Sequence, residues 1–428
     1  MGTLVASVAC TEGTFVIPVG SASGDVESSS STSSSSSSSG SGVTGSTSGG
    51  SGLSGTASDC VPAGDDWWDL AWGRRRALEI DTSGFAGSLV NFPVLVHLDP
   101  EALGATWTER GGADLRFRDA DGQNAFAYEI DDLGPDGRVP VWLEVPQINP
   151  EASPLIVWMY DDNPAATEGA SPTDVWGDHV AVLHLGADLL DSTGRHHGNS
   201  QWEPIPCQGE CEPKVGVSRV FTPEMVHEVV LEDSEGLNFG SDAFADDLEF
   251  SVSLWMRSDW FANYMWGPFV AKGDETWRVH TFFTTNFFSV GLDCQSPCGT
   301  SVDALGNYNL EADGFNVNDD QWHHIAMTFG TAEPIPKVPP PGYDPDMRLR
   351  LYVDGVEAAS EVLTTFRVPA DGQPVRLGHN ANTQNRYRGA LDELRIIDRA
   401  LPPEWIMAEF AVVDAEPVSV GDPQVRCP

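Results

Sequence analysis

The sequence predicts an all-β protein made of two β-sandwich domains behind a Ser/Gly-rich tether. Apolar and polar residues alternate with period two, most clearly over Leu248–Arg257 and His323–Phe329, as half-buried antiparallel strands require. Short β-rich runs recur between Gly, Pro and Asp-Gly punctuation. No stretch carries the periodicity of a helix longer than about three turns.

In chain order, the expected segments are residues 1–20, an export or lipoprotein signal remnant; 21–59, a disordered linker; 60–168, a first β-sandwich; 169–412, a second; and 413–428, a tail. MGTLVASVAC, Met1–Cys10, is apolar and small up to its cysteine, similar to the end of a bacterial lipoprotein signal. It lacks a basic start, and Ser7 stands where such signals place Leu. That similarity implies lipid attachment at Cys10. The linker, with its SSSSTSSSSSSSGSG run, has too little apolar surface to offset its ordering entropy. A tether of about 40 residues would reach roughly 35 Å, enough to hold a binding domain clear of an envelope.

The first sandwich is expected from the runs Arg76–Ile80, Phe92–Leu98, Asp114–Arg118, Ala125–Ile130, Val139–Val145 and Leu155–Tyr160. In the second, Met347, Leu349, Leu351 and Val353 share a strand face. Asp354-Gly355 follows as a two-residue hairpin turn. The strand Gly389–Ile397 places Ala390, Asp392, Leu394 and Ile396 on one side, with Leu391, Glu393, Arg395 and Ile397 on the other. Asp392 is thereby in phase with apolar neighbours, and a carboxylate there must be hydrogen-bonded, paired or metal-bound.

The charge is extreme: 64 acidic against 23 basic residues, formally −41. Such a surface excludes nucleic acid as a partner, because phosphate binding needs Lys and Arg. It also repels anionic membranes, leaving a lipid anchor as the route to a bilayer. Of seven cysteines, Cys207/Cys211 and Cys294/Cys298 form tight Cys-x3-Cys pairs, read as local disulfides or, alternatively, thiolate ligands for zinc. Cys60 and Cys427 bracket the globular part and could staple its ends.

LRLYVDG, VRLGHN and YRGALDELRIIDRALPPEWI, preceded by LEFSVSLWMRS and DDQWHHIAMTF, resemble the laminin-G-like, concanavalin A-like jelly rolls of bacterial surface proteins. The resemblance covers roughly Val175–Val412 and implies that the second sandwich is such a jelly roll. WGRRRALEI, NFPVLVHL, GGADLRFRDADG, VWLEVPQI and VWMYDDNPAA resemble a numbered bacterial domain of unknown function that precedes such jelly rolls. The family resemblance implies Ca2+ as cofactor, with Asp392 matching the acid of its G-x-x-D-E motif. The partner ligand, the Asp of an F-D-G turn, is replaced by Phe221-Thr222-Pro223. Asp392 is therefore either a calcium ligand or an acceptor for backbone N–H groups.

A sugar site combines exposed aromatic faces with planar polar side chains. Two loops offer that mixture, Trp260–Trp266 and His379–Arg388. The second supplies the expected ligand-binding edge: Asn380, Asn382, Gln384, Asn385, Arg386 and Tyr387. Glu129-Ile130-Asp131 resembles the E-[IL]-D-x-x-E core of jelly-roll glycosidases, but Asp132-Leu133-Gly134 lacks the second glutamate. It also lies in the first sandwich, so a structural role is expected. The sequence shows no complete catalytic constellation. The expectation is a non-catalytic protein on the extracellular face of a bacterial envelope, an outer-membrane lipoprotein recognising extracellular glycan. The alternatives are a surface-protein adhesion or structural module and, third, a cryptic glycoside hydrolase.

Overall fold

The first sandwich packs a six-stranded sheet onto a three-stranded one. In the larger sheet, Arg74–Ile80 pairs antiparallel with Leu155–Asp161, which pairs in turn with Arg116–Asp119 and so leads to Ala125–Phe126. The smaller sheet joins Leu89–Leu98, Val139–Ile148 and Tyr128–Ile130. Alternation is obeyed on the buried faces. Val94, Val96, Val141 and Leu143 meet Leu78, Ile80, Val157 and Met159 in one apolar cluster, each such burial worth about 1.5–3 kcal/mol. This is a computed structural model of the chain. It describes residues 60–428, apart from 63, 65–66, 208–211, 223–224, 240–248, 260, 262–265, 274–275, 283–284, 295–298, 303–306, 334–345, 367, 370–371, 381–384 and 428. The expected tether and Cys10 lie outside the described residues.

The second sandwich is a jelly roll of an eight-stranded and a six-stranded sheet. The larger runs Val356–Leu363, Met347–Val353, Trp322–Thr331, Phe250–Arg257, Gly389–Ile397, Arg219–Phe221 and Ile205–Pro206, with Ala181–Leu183 also paired to Gly389–Ile397. The smaller runs Val229–Leu231, Val375–Leu377, Pro268–Lys272, Trp277–Thr281, Phe288–Asp293 and Asn307–Glu311. Val252, Leu254 and Met256 meet Ile325, Met327, Leu349 and Leu351 between them. The expected hairpin is present: Asp354 and Gly355 take φ of 50° and 75°, the signs a two-residue turn between twisted strands demands.

The two sandwiches share a seam. Trp142 is paired with Glu129 across the small sheet, on the face away from the first core. Trp255, Ala326, Tyr352 and Ile397 occupy the outer face of the eight-stranded sheet, in the same apolar cluster as Trp142 and Trp176. The helix Pro403–Asp414 closes the seam, its Trp405 ring 5.0 Å from Phe92. Of residues 413–428, expected as a tail, the described ones, 413–427, are built into the fold. Val418–Val420 and Gln424–Val425 pair with Arg74–Ile80, and Cys427 is bonded to Cys60. Those apolar and backbone groups complete an edge that the first sandwich would otherwise leave bare. No described helix is long and apolar enough to cross a membrane.

Candidate functional site at the sandwich seam and the jelly-roll rim

The strand Gly389–Ile397 does not keep a simple alternation. Ser253 pairs with Arg395 and Trp255 with Asp392, so Leu254 alone opposes both Glu393 and Leu394. The extra residue is accommodated at Glu393, whose φ is +52°. The bulge reverses the phase: Leu391, Leu394 and Ile396 point into the jelly-roll core, and Asp392 shares the side of Trp255, facing the first sandwich. The expected alignment of Asp392 with Leu394 is thus overturned, because period-two counting fails across a bulge.

Asp392 does not fit the calcium role the resemblance implied. Its Oδ2 accepts N–H groups from Val215 at 2.9 Å and Lys214 at 3.2 Å, and its Oδ1 accepts the N–H of Glu393 at 3.0 Å. Those donors take three of the carboxylate's four acceptor positions, which fits the role of backbone acceptor better than that of a calcium ligand. Thr222, at the place of the missing ligand, brings no carboxylate, and its N–H donates to His227 Nδ1 at 3.1 Å. Asp392 is wholly buried, and burial together with Glu393 and Asp131 pushes its carboxyl well above the usual range.

Groups the sequence reading had set aside come together instead. Glu129 and Asp131, two apart, project from one side of the small sheet toward the jelly roll. His184, at the end of the run Val180–Leu185, inserts between them and the bulged strand. Its Nε2 lies 3.0 Å from Glu129 Oε2; its Nδ1 lies 2.8 Å from Glu393 Oε1 and 3.8 Å from Asp131 Oδ2. Glu129 also accepts from Trp176 Nε1 at 2.5 Å and Ser192 Oγ at 2.7 Å. Arg395 donates to Glu393 Oε2 at 3.1 Å, with its guanidinium over the rings of Trp142 and Trp176.

Buried carboxylates outnumber the cations here, and their titration reflects it. Burial draws the His184 imidazole down, but Glu393, Asp131 and Glu129 outweigh it and raise it well above the ordinary value. Burial, with Glu393 and Glu129 adding to it, pushes Asp131 up to about 7 against the pull of His184. Burial also pushes Glu129 up, yet His184 and the Ser192 and Trp176 hydrogen bonds hold it below the usual range. Asp131, His184 and Glu393 each offer a ligand atom, all within 4.8 Å of one another, so these residues could hold a metal ion. Glu129 and Asp131 carried a sequence signal as a carboxylate pair. His184, a lone histidine in an apolar strand, carried none.

Of the four described residues of the expected ligand edge, two are buried. Tyr387 is 1% exposed, its ring 5.0 Å from Phe269, and its hydroxyl donates to the Arg257 carbonyl at 2.9 Å. Asn380 is 6% exposed, with its amide 3.4 Å from the Gly273 carbonyl. Both are corrections: the jelly-roll core absorbs these side chains where the loop crosses the smaller sheet. Asn385 and Arg386 are half-buried; Asn382 and Gln384 lie outside the described residues, as do Trp260 and residues 262–265. Cys207 and Cys294 are each in a disulfide, while Cys211 and Cys298 are outside the described residues.

Beside that loop, where three neighbouring strands end, lies an open cleft of about 320 Å3 lined by Thr222, Arg257, Ser258, Asp259, Asp320 and Arg388, among others. Arg257 Nε contacts Asp320 at 2.9 Å, and Arg388 approaches Asp259 at 4.0 Å. The wall thus alternates donors and acceptors.

Residues 232–407 match the model of a laminin-G family described as the Concanavalin A-like lectin/glucanases superfamily. Among solved structures, the chain is similar to the binding domain of Paraclostridial Mosquitocidal Protein 1, at 14% identity and TM-score 0.41 over 56% of this chain and 52% of that one. It is also similar to the Botulinum Neurotoxin serotype G binding domain, at 15% identity and TM-score 0.38 over 55% and 51%. A third is domain 4 of AbnA, a GH43 extracellular arabinanase from Geobacillus stearothermophilus, in complex with arabinotriose, at 20% identity and TM-score 0.38 over 54% and 97%. The match spans about half the length of the first two structures. No curated protein matches.

Proposed function

We propose that this chain is a non-catalytic, exported binding protein that recognises extracellular carbohydrate at the rim cleft of its jelly roll. The observation that carries this reading is the cleft between Arg257, Asp320 and Arg388, on a domain matching the concanavalin A-like superfamily. Paired guanidinium donors and carboxylate acceptors suit the vicinal hydroxyls of a sugar ring, each of which both donates and accepts. The first sandwich we take to be the numbered domain of unknown function that its motifs resemble. Attachment through Cys10 to the outer face of a bacterial envelope, with the Ser/Gly segment as spacer, completes the proposal. A glycosidase reading has less support, because Glu129 and Asp131 are spent on His184 in the seam rather than facing a groove.

The test is a glycan screen followed by calorimetry on the best hit. Arg388→Ala and Asp320→Ala are each expected to weaken binding at least about tenfold, roughly 1.4 kcal/mol, with little change in melting temperature. Tyr387→Phe should leave affinity unchanged and cost about 1 kcal/mol of stability through its lost hydroxyl contact. Glycan affinity indifferent to both cleft variants would remove the cleft from the account.

A further inference from the structure

The seam cluster poses a problem of valence. Glu129 already accepts from Trp176 and Ser192 and faces His184 Nε2, so that nitrogen carries the proton it donates. The arrangement fixes the ring and turns Nδ1 toward Glu393 Oε1 at 2.8 Å and Asp131 Oδ2 at 3.8 Å. A proton on Nδ1 points along one line and can serve Glu393 alone. Asp131 Oδ2 then remains on a side chain 8% exposed, accepting no hydrogen bond among the described residues; the Asp132 N–H goes to the other oxygen. Three ligand atoms from Asp131, His184 and Glu393 thus converge within 4.8 Å, and a cation between them would serve the imidazole nitrogen and both carboxylates at once, where a proton serves a single pair.

We propose that Asp131, His184 and Glu393 form a binding site for a divalent transition cation of the zinc class. One imidazole nitrogen with two carboxylate oxygens suits zinc, cobalt or manganese; calcium takes oxygen ligands and has little use for imidazole. Glu129 is the positioning residue: a carboxylate on the far nitrogen of a metal-bound histidine sets the tautomer and ring plane. The ligands come from both halves of the molecule, Asp131 from the first sandwich and His184 and Glu393 from the jelly roll. The ion therefore clamps the seam, a role separate from the rim cleft. The site does not depend on the sugar-binding proposal and can stand if that one fails.

The experiment strips the full-length protein with chelator, then titrates Zn2+, Co2+ and Ca2+ by calorimetry and follows melting. One equivalent of Zn2+ is expected to bind and raise the melting temperature, with Ca2+ doing neither. Co2+ should give visible d–d bands without the near-ultraviolet charge transfer of a thiolate ligand. Asp131→Asn, checked for folding by circular dichroism, should weaken Zn2+ binding at least about tenfold, and Glu129→Gln by about 10–100-fold, the range for outer-sphere partners. If Asp131→Asn fails to fold, stoichiometry and the cobalt spectrum of the unsubstituted protein decide. No stoichiometric binding, a thiolate spectrum, or Zn2+ affinity untouched in a folded Asp131→Asn protein would overturn the proposal and leave a proton as the occupant of the seam.

Discussion

His179 and His280 are buried imidazoles with little to stabilise a charge. Burial draws both down to about 3, helped at His179 by Arg395 and Arg399 and at His280 by Arg278. Both are neutral in the fold, while the unfolded chain protonates them near the ordinary 6.5. Between those values the unfolded state binds more protons, so stability falls as pH falls. It is flat above about pH 6.5, and each imidazole costs roughly 1.4 kcal/mol per pH unit below it. His280 donates from Nδ1 to the Thr281 carbonyl at 2.7 Å, a bond that an amide can replace. Urea midpoints for His280→Gln should therefore decline less steeply than those of the native protein between about pH 6 and 4. Parallel slopes would refute a neutral His280.

The hairpin and the bulge show two ways in which backbone conformation controls a strand. At the Met347–Val353 hairpin, Asp354-Gly355 matches the turn, and its second residue is hemmed in. A Cβ on Gly355 would stand 3.1 Å from the Met407 Cα and 3.3 Å from the Phe410 Cβ of the seam helix, at φ +75°. Gly355→Ala should thus lower stability by about 1–3 kcal/mol in denaturant titration, through left-handed strain and contact with the helix. A loss under about 0.5 kcal/mol would mean the helix yields freely. At the bulge, Glu393 accepts a positive φ without glycine's freedom and gains an imidazole and a guanidinium as partners. The strain is held where the two sandwiches meet.

The sandwiches behave as one body because their joining surfaces are interior surfaces. Trp142, Trp176, Trp255 and Tyr352 are all 2% exposed or less, although they sit between sheets of different sandwiches. The described residues of both sandwiches accordingly pack as one unit, closed by a disulfide linking Cys60 and Cys427 across 367 residues. Replacing both by Ser should lower unfolding stability by ~3–5 kcal/mol, by freeing the ends of the unfolded chain. It should not split the transition in calorimetry, because the seam remains. Two resolved melting steps in the native protein would mean that the seam is not cooperative.

The strands, the Asp354-Gly355 turn and the Cys60–Cys427 pairing were legible from residue order. Alternation, turn chemistry and a cysteine at each end are local signals, and burial on one side of a strand enforces them at every position. The seam was not legible. His184 sits in an apolar run like any core residue, and Asp131 and Glu393 are 262 residues apart (393 − 131). A single bulge turned Asp392 from the jelly-roll core to its outer face, and an aromatic loop residue, Tyr387, became core. Such outcomes depend on which sheet faces which and on where an extra residue slips a register. Charge convergence across distant strands is a property of packing, so the cluster that joins the two sandwiches exists only once they are stacked.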